Sequence, residues 1–153
     1  MRNNSPTLRL LGFSTLVLPL QAAVFEDKSE QFGLAGGNDA SWFDFNNDGW
    51  TDICVGGKVY RNEKGRKFVE VAATGACVAA DFDNDGFLDL YSWSGRKVYR
   101  NRGGKEFVAL ELPELPKGSS LGACWGDFNR DGFVDLYAGG YETWPNDTYA
   151  DFL

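Results

Sequence analysis

One nine-residue pattern, D-F-x-x-D-G-x-x-D, occurs three times in this chain, as DFNNDGWTD from Asp44, DFDNDGFLD from Asp81 and DFNRDGFVD from Asp127. The starts are 37 and 46 residues apart, so the chain is built from a repeated supersecondary unit. The repetition extends past the loops. Lys58-Val59-Tyr60-Arg61-Asn62 returns as Lys97-Val98-Tyr99-Arg100-Asn101, and Gly65-Arg66-Lys67-Phe68-Val69 returns as Gly104-Lys105-Glu106-Phe107-Val108.

Each unit reads as four short strands. In the second they cover about 76–82, 88–93, 96–101 and 106–112, separated by the turn signals Asp85-Gly86, Ser94-Gly95 and Gly103-Gly104. Nineteen Gly and an aromatic share of 15%, with no apolar stripe at helical spacing, favour an all-β chain over a helical repeat. A four-stranded antiparallel repeat that must stack on its neighbours is the pattern of β-propeller blades. Two units are complete and the third is partial, because Leu153 falls 26 residues after Asp127. Propellers close with about four to eight blades, so the expectation is a product truncated here at its C-terminus. The segment 24–34 is expected to be an outer strand that pairs with a final blade.

The loops carry the chemistry. Calcium takes about six to eight oxygen ligands, and a nine-residue turn offers side chains at its first, third, fifth and ninth positions with a carbonyl at the seventh. The expected ligands are Asp44, Asn46, Asp48, the Trp50 carbonyl and Asp52; Asp81, Asp83, Asp85, the Phe87 carbonyl and Asp89; and Asp127, Asn129, Asp131, the Phe133 carbonyl and Asp135. Gly49, Gly86 and Gly132 follow the fifth position, where a positive φ is expected. A plain hairpin turn needs one Asp-Gly pair, whereas crowded carboxylates repel one another unless a cation joins them. A helix-flanked calcium loop with a bidentate acid at position twelve does not fit, because Val55, Ser92 and Ala138 stand there and ICVGG, LYSWS and LYAGG follow as strand formers. Magnesium rarely accepts an all-protein cage of this kind.

The formal charge of −7 is bunched in these loops, which disfavours nucleic acid as a partner. With no His, a Ser-His-Asp triad, a Cys-His pair and His-ligated zinc are excluded. Cys54, Cys77 and Cys124 read as buried small hydrophobes, with one disulfide and a spare thiol as the alternative. Residues 1–23 read as an export signal: Arg2 and Arg9 precede the apolar run Leu10–Leu20, and cleavage is expected after Ala22 or Ala23. That run is shorter than the roughly 20 residues that span a bilayer, so the expected product, residues 24–153, has no transmembrane segment and is secreted or lies in the cell envelope or periplasm.

The loops, with the following V-Y-R-N and G-x-x-F, resemble the FG-GAP and VCBS repeats of integrin α-chain propellers, and among these secreted bacterial proteins related to cartilage acidic protein. The resemblance covers about 24–153. It implies a propeller, usually of seven blades, with structural Ca²⁺ in the turn between the first two strands of each blade. The function expected is noncatalytic: adhesion, or binding of an extracellular protein or carbohydrate ligand. The alternative is the propeller body of a secreted polysaccharide lyase or hydrolase, for which Glu111 and Glu114, or Glu142 and Asp147 near Tyr141, are the separable acids. Trp93, Trp125, Tyr141 and Trp144 are candidates for stacking on sugars, with Trp125 assigned rather to the core.

Overall fold

The computed structural model describes residues 25–34, 36–112, 120–140, 142–143 and 147–148, the last four by their backbone alone. Strands β1 (Ala40–Phe43), β2 (Asp52–Val55), β3 (Lys58–Asn62) and β4 (Phe68–Ala73) form one antiparallel sheet in the order β1-β2-β3-β4. Strands β5 (Cys77–Ala80), β6 (Asp89–Ser92), β7 (Lys97–Asn101) and β8 (Phe107–Ala109) repeat that order in a second sheet. A third sheet holds β9 (Ser120–Gly126) and β10 (Asp135–Gly140). Two complete blades and one partial one are therefore present, as the repeat predicts.

Local chemistry sets the strand boundaries. β2 and β3 pair Val55 with Lys58 across Gly56-Gly57, whose φ values of 58° and 75° are those of a two-residue turn that matches the twist of the strands. Val59, Leu90 and Tyr91 are fully buried, each worth about 1.5–3 kcal/mol of apolar burial. The core lies between the sheets. Phe43, Phe45, Cys54 and Val59 of the first blade pack against Cys77 and Leu90 of the second, and the Phe45 and Phe107 rings meet at 5.3 Å. At the next junction Tyr91 and Val98 pack against Ala138, while Trp125 lies 6.3 Å from Phe82 and 6.5 Å from Tyr91. Trp125 is thus part of the core.

Two expectations need correction. The segment 24–34 is not an outer strand over its described residues; it holds a one-turn helix, α1 (Ser29–Phe32). Asp27 accepts the Ser29 N–H, and Gly33, at φ 77°, donates its own N–H to the Glu30 carbonyl and so ends the turn. The third blade is partial as expected, and β11 (Glu142–Thr143) and β12 (Asp147–Thr148) follow it as a separate antiparallel pair. Cys124 is exposed, unlike buried Cys54 and Cys77. It occupies the place of Ser41 and Val78, which the next sheet covers: Ser41 Oγ donates to the Cys77 carbonyl and Trp125 Nε1 to the Val78 carbonyl. No described residue contributes an equivalent bond over Cys124.

Candidate metal centre

The three loops adopt one hydrogen-bonded form. The first-position aspartate accepts two backbone N–H groups: Asp44 from Asp48 and Gly49, Asp81 from Asp85 and Gly86, Asp127 from Asp131 and Gly132. The fifth-position aspartates Asp48, Asp85 and Asp131 each accept the N–H two residues on, from Trp50, Phe87 and Phe133, all at 2.9 Å. Gly49, Gly86 and Gly132 have φ values of 83°, 89° and 92°, as expected at that bend. The sequence did not announce that the residue two before each glycine also takes positive φ: Asn47, Asn84 and Arg130, at 56°, 57° and 61°.

The ninth-position aspartates anchor each loop to its blade. Asp52 accepts the Phe45 and Asn62 N–H groups at 3.1 and 2.7 Å, and Asp89 accepts those of Phe82 and Asn101 at 3.3 and 2.7 Å. Asp135 accepts the Phe128 N–H at 3.2 Å. A carboxylate offers about four lone-pair sites, so these bonds leave each group able to ligate a cation. Burial is the main force that pushes Asp52 and Asp89 up to about 6, with the charges of neighbouring loop carboxylates acting in the same direction and the donated N–H bonds opposing it.

The second loop gathers its acids most closely. Oxygens of Asp81, Asp83 and Asp89 lie within 4.8 Å of one another, and Asp83 Oδ1 is buried with no hydrogen-bond partner. Arg100 forms an ion pair with the other Asp83 oxygen. Asp85 stands outside this cluster, exposed at the loop surface. In the first and third loops the third position is Asn, and Asn46 and Asn129 donate their amides to Asp48 and Asp131 at 3.0 and 2.9 Å. An amide N–H there relieves the repulsion that two carboxylates would feel.

The loops also touch one another. Asn47 donates to the Gly86 carbonyl at 2.7 Å and Asn84 to the Gly132 carbonyl at 3.1 Å. Asn101 binds the first loop from the second blade, donating to the Phe45 carbonyl at 2.7 Å. The repeated loops therefore line one edge of a continuous stack of sheets.

A family model for the FG-GAP-like repeat matches residues 44–92 and again 81–138. The chain belongs to the FG-GAP-like repeat family. Each match begins at the first aspartate of one loop and ends in the strand that follows the next loop, β6 or β10, so it spans two successive loops and the strands between them. No curated protein and no solved structure matches the chain.

Outside the loops, a cleft of about 450 Å³ is lined by Asn38, Asp39, Ala76, Trp93, Ser94 and Ser120 among others. Trp93 lies there, half-buried, and Asp39 Oδ2 is buried with no hydrogen-bond partner. Glu111 is exposed. Glu114, Tyr141 and Trp144 lie outside the described residues, as does the segment 1–23, and the side chains of Glu142 and Asp147 are likewise not described. Among the described residues no helix is long and apolar enough to cross a membrane.

The two buried aspartates make stability depend on pH. A carboxyl raised from 3.8 to about 6 favours the folded state while protonated, and that contribution is lost as pH rises through about 6. In chelator, the melting temperature should rise as pH falls from 7 to 5, and rise less in Asp52→Asn. Equal pH responses in the two proteins would show that burial of Asp52 is not the cause.

Proposed function

We propose that this chain is a calcium-binding, noncatalytic propeller module, secreted or held in the cell envelope, that engages an extracellular protein or carbohydrate ligand. The observation that carries the calcium reading is the second loop: three carboxylates converge within 4.8 Å, and one of their oxygens is buried without a partner. Hard oxygen donors of this charge suit a divalent cation of calcium's size and flexible geometry. Asp81, Asp83, Asp85, the Phe87 carbonyl and Asp89 would hold it. Asp44, Asn46, Asp48, the Trp50 carbonyl and Asp52 would hold a second ion, and Asp127, Asn129, Asp131, the Phe133 carbonyl and Asp135 a third. The ion's role is structural: it neutralises the loop carboxylates, and so fixes the turn between the first two strands of each blade.

The cleft beside Trp93 supports the carbohydrate part of the reading, because an aromatic face among amide, carboxylate and hydroxyl groups suits a sugar ring. Of the acids named for the polysaccharide lyase or hydrolase alternative, Glu111 is the one whose side chain is described, and it is exposed.

A ligand that binds only the native state raises stability by about 2.7 kcal/mol at a hundredfold excess over Kd. Millimolar Ca²⁺ should therefore raise the melting temperature by several degrees over chelator at pH 7. The gain should shrink at pH 5, where protons compete for Asp89, and should be smaller in Asp83→Ala. A folded protein whose melting temperature ignores Ca²⁺ would defeat the proposal.

A further inference from the structure

Two of the three cysteines meet across the junction of the first and second blades. Cys54 lies on β2 and Cys77 opens β5; both are 1% exposed and belong to one buried cluster. Cys54 Sγ hydrogen-bonds to the Gly75 carbonyl at 3.7 Å, which aims it at the chain entering β5. Contact with Cys77 lowers the Cys54 thiol, and contact with Cys54 together with burial raises the Cys77 thiol, as expected of side chains that adjoin within that cluster. Ser41, paired with Cys54 in the register of β1 and β2, donates its hydroxyl to the Cys77 carbonyl at 2.8 Å. The backbones on both sides are thereby held in place.

The next junction shows what this spot holds otherwise. Two residues past the ninth-position aspartate, Cys54 corresponds to Tyr91; four residues before the first-position aspartate, Cys77 corresponds to Ala123. Tyr91 and Ala123 pack in the second core cluster, a large side chain against a small one. The first junction fills the same place with two sulfurs.

We propose that Cys54 and Cys77 form a disulfide that staples the first blade to the second. The inference rests on the neighbouring sulfurs and is independent of the calcium reading. The oxidant is a small-molecule disulfide acting by thiol–disulfide exchange. One cysteine thiolate attacks it, releasing one thiol and leaving a mixed disulfide. The second cysteine attacks that bond, forms the Cys54–Cys77 link and releases the second thiol. The protein loses two electrons and two protons, and the oxidant takes up both. Because both sulfurs are buried, the exchange takes place before the two blades close on each other. Exposed Cys124 stays a free thiol.

The test uses the full chain carrying Cys124→Ser, so that the exposed thiol cannot cross-link copies. It is refolded in a glutathione redox buffer, denatured, alkylated without reduction and weighed intact. The expected result is an unlabelled monomer, lighter than the reduced chain by the hydrogens lost, that takes two labels once reduced. Reduction should also lower the melting temperature by on the order of 10 °C, with no such change in the variant also carrying Cys54→Ala and Cys77→Ala. Two labels without reduction, or a mass showing chains joined to one another, would overturn the proposal. Peptide mapping of the wild-type chain gives a readout independent of that variant's folding: a linked peptide containing Cys54 and Cys77 supports it, and one containing Cys124 contradicts it.

Discussion

Asn101→Ala should destabilise the folded chain by about 3 kcal/mol, because each buried polar group left without its partner costs about 1–3 kcal/mol. The Asn101 side chain is 1% exposed and makes three bonds. Its amide donates to the Phe45 carbonyl at 2.7 Å and to the Leu88 carbonyl at 3.0 Å, and its oxygen accepts the Gly104 N–H at 2.8 Å. The Phe45 bond crosses between blades. Asn62 holds the same place in the first blade, where its amide reaches the Thr51 carbonyl at 2.9 Å and its oxygen accepts the Gly65 N–H at 2.7 Å. Among the described residues it has no bond to another blade, and both of its side-chain bonds are exposed. Asn62→Ala should therefore cost about 1 kcal/mol. Urea unfolding of the two variants reads the difference directly, and equal losses would mean that the interblade bond contributes nothing.

Asp89→Ala should cost about 2–4 kcal/mol, since it leaves the Asn101 and Phe82 N–H groups without an acceptor inside the fold. Asp89→Asn keeps one acceptor oxygen but turns an NH₂ toward the other donor, so it should cost less than the alanine and more than an exposed substitution. Asp89 accepts the backbone N–H of Asn101, which Asn101→Ala keeps, so removing the Asp89 carboxylate should remain costly in the Asn101→Ala background. A double variant no less stable in urea than Asn101→Ala alone would contradict the anchoring role of Asp89. In the calcium reading, both Asp89 variants also lose the second loop's response to Ca²⁺, which separates the residue's two roles.

The architecture was legible because it is written twice over. Asp44, Asp81 and Asp127 mark the units, and the turn glycines fall where a positive φ is needed. The misreadings have physical causes. Residues 25–34 carry six consecutive polar side chains, 26–31, rather than the alternation of a strand, and Asp27 and Gly33 were start and stop signals for a helical turn. Cys124 looked like a buried strand residue, but burial depends on which sheet covers that face, and strand composition does not encode this.

The candidate site was legible in its residue types and not in its division of labour. Spacing marks the first and ninth aspartates as candidate ligands, but it cannot show that they also accept the backbone N–H groups that shape the loop. Nor could it show the bonds from Asn47 to Gly86 and from Asn84 to Gly132, which join residues 39 and 48 apart in the chain. The ion pair of Arg100 with Asp83 was hidden for the same reason, since Arg61, its counterpart in the first blade, pairs instead with Glu63.

The most direct test of the account is a calorimetric titration of Ca²⁺ into the full chain at pH 7, after removal of divalent cations with chelator and with strand content verified by circular dichroism. The account predicts saturable binding that persists in millimolar Mg²⁺, with the tightest component lost in Asp81→Ala and Asp83→Ala. A folded chain that takes up no Ca²⁺, or that binds it unchanged in both variants, would contradict the assignment of these loops as calcium sites.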